Sequence, residues 1–327
     1  MRRLFTLILV MAMGLGAAGY GWLNHPFNLP TPTVDLSIEP GLTAREVATA
    51  VVQAGVPVDS GWLYAWFRLS GHARQIKAGS YELTRGTTPR SLLQKLVRGD
   101  EALRTVTLVE GWTFRQVRMA LKKADQLKPE SQDMPAAAVM ERLGKPGLAP
   151  EGRFFPDTYL YSKGASDFSV LQRAMRAMDK HLESAWEQRD PRSPLKTPEE
   201  ALILASIVEK ETGSPADRAA IAAVFNNRLR IGMRLQTDPT VIFGLGEAFD
   251  GNLRKIDLLT DTPWNTYTRS GLPPTAISLP GKAALLAAVQ PDASKALYFV
   301  ARGDGTSQFS GSLDEHNRAV NKYQRGQ

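Results

Sequence analysis

The sequence predicts an α+β protein in three parts: a membrane-crossing helix, a small βααβ domain, and a larger, mainly helical domain with short strands. Three observations carry this prediction. An uncharged apolar run opens the chain, a strand–turn–helix pattern recurs three times before residue 125, and helical periodicity dominates the remaining two hundred or so residues.

Arg2 and Arg3 precede the apolar run Leu4–Leu23. About twenty residues at ~1.5 Å rise span ~30 Å, the thickness of a bilayer core. Positive charge on the short side predicts a cytoplasmic N-terminus and an exported remainder. In an envelope with two membranes this means a single-pass inner-membrane protein with its main domains in the periplasm. Gly16-Ala17-Ala18-Gly19 also fits a cleaved signal peptide, whereas Trp22 reads as an interfacial residue of an uncleaved anchor. Either way the working part lies where ATP and nicotinamide cofactors are absent, and no cofactor is expected.

The composition narrows the chemistry. The chain has 327 residues, 43% hydrophobic and 22% charged, a globular balance that excludes long disorder. It has no cysteine, which excludes disulfides, a thiolate nucleophile, thiolate metal sites and a lipidated cysteine anchor. The four histidines (His25, His72, His181, His316) lack ligand spacing, so no metal is expected. A net charge of +7 suits nucleic acid, an anionic membrane or an acidic polymer. Without a dense basic run interleaved with aromatics, nucleic acid is not an expected partner.

Asn24–Pro32 holds three prolines and reads as a linker (24–32) between the anchor (1–23) and a first domain (33–104). Strand-like stretches at Val34–Glu39, Ser80–Thr84 and Val106–Glu110 each lead to a glycine turn (Gly41, Gly86, Gly111), a threonine N-cap (Thr43, Thr88, Thr113) and a helix. Thr43 with Glu46 and Thr113 with Gln116 are spaced as capping boxes, and Pro89 suits a first helical position. The first copy continues through a helix ended by Gly55, a second helix near Gly61–Leu69 and a closing strand. Strand–helix–helix–strand in about fifty residues resembles a LysM domain, a small glycan-binding module; a purely structural unit has the same pattern. Beyond Val106 helices are predicted at Thr113–Ala124, Pro135–Leu143 and Asp167–Gln188, within a second domain (105–327).

Thr197-Pro198-Glu199-Glu200 is a strong helix start. Ala201–Val208 is apolar nearly all round, which marks a buried helix. It ends in Glu209-Lys210-Glu211-Thr212 before Gly213, with Ser214-Pro215 expected to open the next helix. Two glutamates two positions apart point to nearly opposite sides. Glu211 shares a stripe with Leu204, Ile207 and Val208; Glu209 shares one with Ser206, expected to be wetter. Burial and the negative helix end both favour a protonated Glu211, suited to general-acid chemistry. A solvated helix end carrying two acids is the bland alternative.

Ala205–Thr212, Val224-Phe-Asn-Asn-Arg-Leu229 and Leu235-Gln-Thr-Asp-Pro-Thr240 together resemble the MltG/YceG family of endolytic murein transglycosylases. So do Glu151–Thr158, Asn265-Thr-Tyr267, Gly271-Leu-Pro-Pro274, Pro280-Gly281 and Leu297–Val300. The resemblance implies a lysozyme-like catalytic domain that acts on peptidoglycan glycan strands. It implies cleavage of the β-1,4 bond between N-acetylmuramic acid and N-acetylglucosamine without water, leaving 1,6-anhydro ends and terminating strand elongation. It assigns the acid/base role to Glu211, followed by the hydroxyl residue Thr212, with Glu209 as runner-up. Thr212, Gln236, Thr237, Asp238, Asn265, Tyr267, Leu272 and Pro273 become expected substrate-binding residues, and Asp238 fits a helix cap equally well. Arg228, Arg230 and Arg234 would meet muramyl-peptide carboxylates or form a solvated face. Cell-wall synthesis proteins are further expected partners. Three rival readings stand beside this one: a non-catalytic peptidoglycan-binding scaffold, a muramidase-type hydrolase using Asp238 as second carboxylate, and a Schiff-base lyase using Lys210.

Overall fold

The opening apolar run is helical in the computed structural model, which describes residues 2–211 and 214–326. This helix, α1 (Arg2–Asn24), is long and apolar enough to cross a membrane, and none of the described residues of its most apolar stretch is buried. The described residues are mixed α/β, mostly helical with short strands, and fall into two compact units.

The first unit comprises residues up to Arg104, with Asp125–Leu127 and Leu160–Ala165. Strand β1 (Thr33–Ile38) buries alternate residues Val34, Leu36 and Ile38, as a half-buried strand must. Helices α2 (Ala44–Gln53) and α3 (Ser60–Leu69) come next, and β2 (Gly79–Thr84) returns antiparallel to β1, Leu36 facing Tyr81. The strand–helix–helix–strand order is therefore present. Thr43 and Glu46 form the expected capping box, and Asp59 caps α3 by accepting from Trp62 N at 2.9 Å. Helix α4 (Pro89–Arg98) starts with Pro89 and a Thr88–Ser91 capping box, and ends at Gly99, whose φ of 76° suits glycine. The segment expected as a linker is seated on this unit. Phe27 and Leu29 are buried in its core, and Phe27 N donates to Thr87 O at 2.8 Å.

Strand β3 (Leu103–Thr107) begins before the expected Val106 and pairs with β4 (Thr158–Ser162), which buries Tyr159 and Tyr161.

The second unit holds most of the remaining chain. Its helices are α5 (Phe114–Lys123), α6 (Ala136–Arg142), α7 (Asp167–Glu187), α8 (Pro198–Glu211), α9 (Arg218–Arg230), α10 (Asp238–Leu245), α11 (Lys255–Leu259), α12 (Lys282–Val289) and α13 (Leu313–Gln324). Strands β5 (Tyr298–Ala301) and β6 (Ser307–Ser310) make an antiparallel hairpin before α13. Helix α8 is the centre. Every residue from Ala201 to Val208 is buried, against α7, α9, α10 and α12.

Two local expectations are corrected. Helix α9 opens at Arg218 rather than at Ser214, because residues 215–217 form a turn in which Asp217 N donates to Ser214 O at 3.3 Å. The Ser206 face of α8 is dry. Ser206 is fully buried and its hydroxyl accepts from Ile277 N at 3.0 Å, while its carbonyl accepts from Ser278 Oγ at 3.0 Å. Residues 277–281 thus fill the side where water was expected.

Candidate active site

Glu211 is the last residue of α8, so the buried helix delivers its carboxyl where the packing opens. It borders a groove of about 710 Å³ with Arg228, Gln236, Asp238, Tyr267, Tyr298 and His316 among the lining residues. The Thr237 hydroxyl donates to Glu211 Oε1. Burial is the main reason the Glu211 pKa is raised, and the charge of Asp238 adds to it. The Thr237 hydrogen bond and the Arg228 charge oppose that shift without cancelling it.

The segment before α10 supplies the opposing polar groups. Gln236 has a φ of 51°, a left-handed conformation uncommon outside glycine, and lines the groove. Thr237 occupies the N-cap position of α10, yet its hydroxyl makes no cap bond and turns to Glu211 instead. The threonine is fixed from behind: its N–H donates to Thr266 Oγ1 at 3.0 Å, and Thr240 and Thr266 hydroxyls meet at 2.9 Å. Asp238 is the first helical residue; its Oδ1 accepts from the Tyr267 hydroxyl at 2.5 Å. Burial and then that bond push the Tyr267 pKa upward, keeping it a phenol.

Other expected site residues take different positions. Asn265 is fully buried and does not line the groove. Its Nδ2 donates to the carbonyls of Asp257, Leu258 and Thr260, the last at 2.7 Å, and its Oδ1 accepts from Tyr267 N at 2.9 Å. With its amide spent on the backbone, it orients Tyr267. Leu272 packs against the hydrophobic core, Pro273 is buried, and neither borders the groove. Thr212 lies outside the described residues.

Glu209 points elsewhere. Its Oε2 accepts from Gly281 N at 2.9 Å, at the N-cap of α12, and it does not line the groove. Its pKa is also raised, first by burial and then by the Glu110 charge, against the Gly281 bond. The two glutamates differ in what they face.

The groove is also lined by residues that carried no firm role in the sequence reading. Arg228 is buried; Nε donates to Leu297 O at 2.7 Å and Nη1 to Leu235 O at 2.6 Å, and its guanidinium lies 5.3 Å from the Tyr298 ring centre. Burial lowers its pKa. His316 stacks on Tyr298 at 5.2 Å, its Nδ1 is buried without a hydrogen-bond partner among the described residues, and burial followed by Arg228 lowers its pKa. A lone histidine on a polar helix gives no periodic signal. Tyr298 belongs to the Leu297–Val300 motif, where nothing local marks its ring as facing a groove. Arg230 and Arg234 are both exposed, and donate to Asn227 Oδ1 and Tyr267 O, at 2.7 and 3.0 Å respectively.

A protonatable carboxyl beside an open groove of polar and aromatic side chains is the arrangement that acid–base chemistry on an extended ligand requires. The chain belongs to the YceG-like family, whose sequence pattern matches residues 36–322. It is 31% identical to the endolytic murein transglycosylase of Bacillus subtilis (strain 168), over 89% of this chain and 85% of that protein. It is 27% identical to the endolytic murein transglycosylase of Streptococcus pneumoniae serotype 2 (strain D39), over 95% of this chain but 63% of that longer protein. A crystal structure of a YceG-like protein from Listeria monocytogenes superposes with a TM-score of 0.55 at 28% identity, covering 88% of this chain and 98% of that one.

Proposed function

We propose that this chain is a membrane-anchored endolytic murein transglycosylase in which Glu211 is the single acid/base. The observation that carries the reading is Glu211 itself: a carboxyl with a raised pKa, at the end of a buried helix, facing a groove of about 710 Å³. Family membership and the names of the relatives supply the substrate, the glycan of peptidoglycan. Protonated Glu211 gives its proton to the bridging oxygen between N-acetylmuramic acid and N-acetylglucosamine. As that C–O bond breaks, the muramyl C6 hydroxyl attacks the anomeric carbon and passes its proton to the Glu211 carboxylate. The ring closes as a 1,6-anhydro sugar, no water is consumed, and the enzyme returns to its starting protonation state. Such proton transfer is worth ~10²–10⁴-fold. Gln236, Asp238 and Tyr267 hold the sugars.

The first unit serves in this reading as a LysM-like glycan-binding module. Helix α1 anchors the chain in the inner membrane with the N-terminus cytoplasmic, so that cutting occurs on strands near the membrane and limits their length.

Asp238 lines the same groove, and this supports a second reading, a hydrolase with Asp238 as the second carboxylate. Mass spectrometry of soluble products from purified sacculi separates the two. Ring closure gives muramyl ends lighter by one water; reducing ends in their place would refute the transglycosylase mechanism.

A further inference from the structure

A second cavity, of about 650 Å³, lies on the other side of the same two helix ends. Helix α8 gives Glu211 to the groove and Lys210 to this cavity; α10 gives Asp238 to the groove and Pro239, Ile242 and Phe243 to the cavity. Its lining mixes apolar side chains, Ile242, Phe243, Phe249 and Ile277, with polar ones that include Glu151, Gln116 and Lys210. None of the proposed chemistry uses it.

Glu151 is its distinctive group. Oε2 accepts from Phe114 N at 2.9 Å, and Oε1 has no hydrogen-bond partner among the described residues. The carboxyl is rigidly set. Arg153 N closes a turn on Pro150 O at 3.2 Å, and the adjoining Gly152 has a φ of 77°, with space for a Cβ only 2.6 Å from Ala276 Cβ. A helix N-terminal amide needs one acceptor oxygen, and Thr113 already caps α5 through its box with Gln116. A carboxyl is therefore more than the helix requires, and its second oxygen is left to the cavity.

We propose that this cavity is a second carbohydrate subsite, in which an N-acetylated sugar lays its apolar face on Phe249 and Ile242 and takes a hydrogen bond from Glu151. A pyranose ring has a C–H face and a polar rim, and a cavity lined by both aromatic or aliphatic and polar side chains offers contacts to each. Burial pushes Glu151 up to about 7, so near neutrality much of it carries a proton to donate to an acetamido carbonyl. Because the groove and the cavity flank the same helix ends, one glycan strand occupies both and crosses Glu211 between them. The inference rests on the proposed glycan substrate, and its test is separable from the reaction.

The test is calorimetric titration of the full-length chain in detergent with the β-1,4-linked hexasaccharide of N-acetylglucosamine, in the Glu211→Gln background to prevent turnover. Phe249→Ala removes apolar lining and Ile242→Trp fills the space; each is expected to weaken binding tenfold or more with the melting temperature unchanged. Glu151→Gln keeps a donor and is expected to bind within threefold of the background, whereas Glu151→Ala loses tenfold. Hexasaccharide binding within twofold of the background in both Phe249→Ala and Ile242→Trp overturns the subsite. So does a background protein that binds no hexasaccharide, or a muramyl stem pentapeptide that binds and is excluded by Ile242→Trp. Whether the wild-type chain cuts sacculi bears on the reaction alone.

Discussion

Glu209 and Glu211 share a helix end, a carboxyl side chain and a raised pKa, and only their surroundings separate them. Glu209 accepts a backbone N–H at the start of α12, a task that an amide oxygen performs as well. Glu209→Gln is therefore expected to retain activity within a few-fold, while Glu209→Ala leaves the Gly281 amide unpaired and costs ~1–3 kcal/mol of stability, read by thermal melting. For Glu211 the working form is the protonated one, so activity must fall as pH rises through its raised pKa. Thr237 donates to the carboxylate and holds that pKa down. Thr237→Val is expected to move the descending limb of the pH–rate profile to higher pH; a limb that stays put would separate Thr237 from the titration. Glu151 gives a stability counterpart. Its folded pKa of about 7 exceeds the ordinary 4.5, so the native state holds a proton that the unfolded chain releases. Stability contributed this way is complete below pH 4.5 and is lost as pH rises to about 7. Glu151→Gln should flatten that part of the melting-temperature profile. The contrast between the two glutamates was legible in part, since the apolar stripe led to Glu211. Thr237 as its partner was not, because that contact depends on how α10 packs. Asn265 resembled a ligand because polarity in sequence does not reveal that an amide is already spent on nearby carbonyls.

Elements were legible wherever the signal was local. The Thr43 and Thr113 capping boxes, the Thr197-Pro198 start and the all-round apolar face of α8 each rest on residues within a few positions of one another. The dry Ser206 face depended on residues 277–281, some seventy positions away, and periodicity carries no such information. The buried core of α8 predicts a measurable cost. Leu204 is fully buried, and Leu204→Ala should destabilise the protein by ~2–5 kcal/mol through lost transfer energy and a residual cavity. Gly152→Ala is a sharper probe of the Glu151 turn. A left-handed residue with a Cβ costs ~1–2 kcal/mol, and the clash with Ala276 adds to it. A variant as stable as the parent would show that this turn does not fix the carboxyl.

At the scale of the whole molecule, two units have separate hydrophobic cores, and the first opens with an apolar helix. The apolar helix and the change from strand–turn–helix units to a helical body were readable from hydropathy and periodicity. The seat of Phe27 and Leu29 in the first core was not, because three prolines obscure a segment that packs without regular structure. An uncleaved α1 predicts that the chain stays with membranes through alkaline washing and is released by detergent. Recovery of a shortened chain in the soluble fraction would instead mark a cleaved signal. The most direct measurement of the central claim compares the release of anhydromuramyl fragments from purified sacculi by wild type, Glu211→Gln and Glu209→Gln at equal folded concentration. Near-wild-type release by Glu209→Gln and a loss of ~10²-fold or more by Glu211→Gln are expected. Substantial release by Glu211→Gln, or loss confined to Glu209→Gln, would contradict that claim.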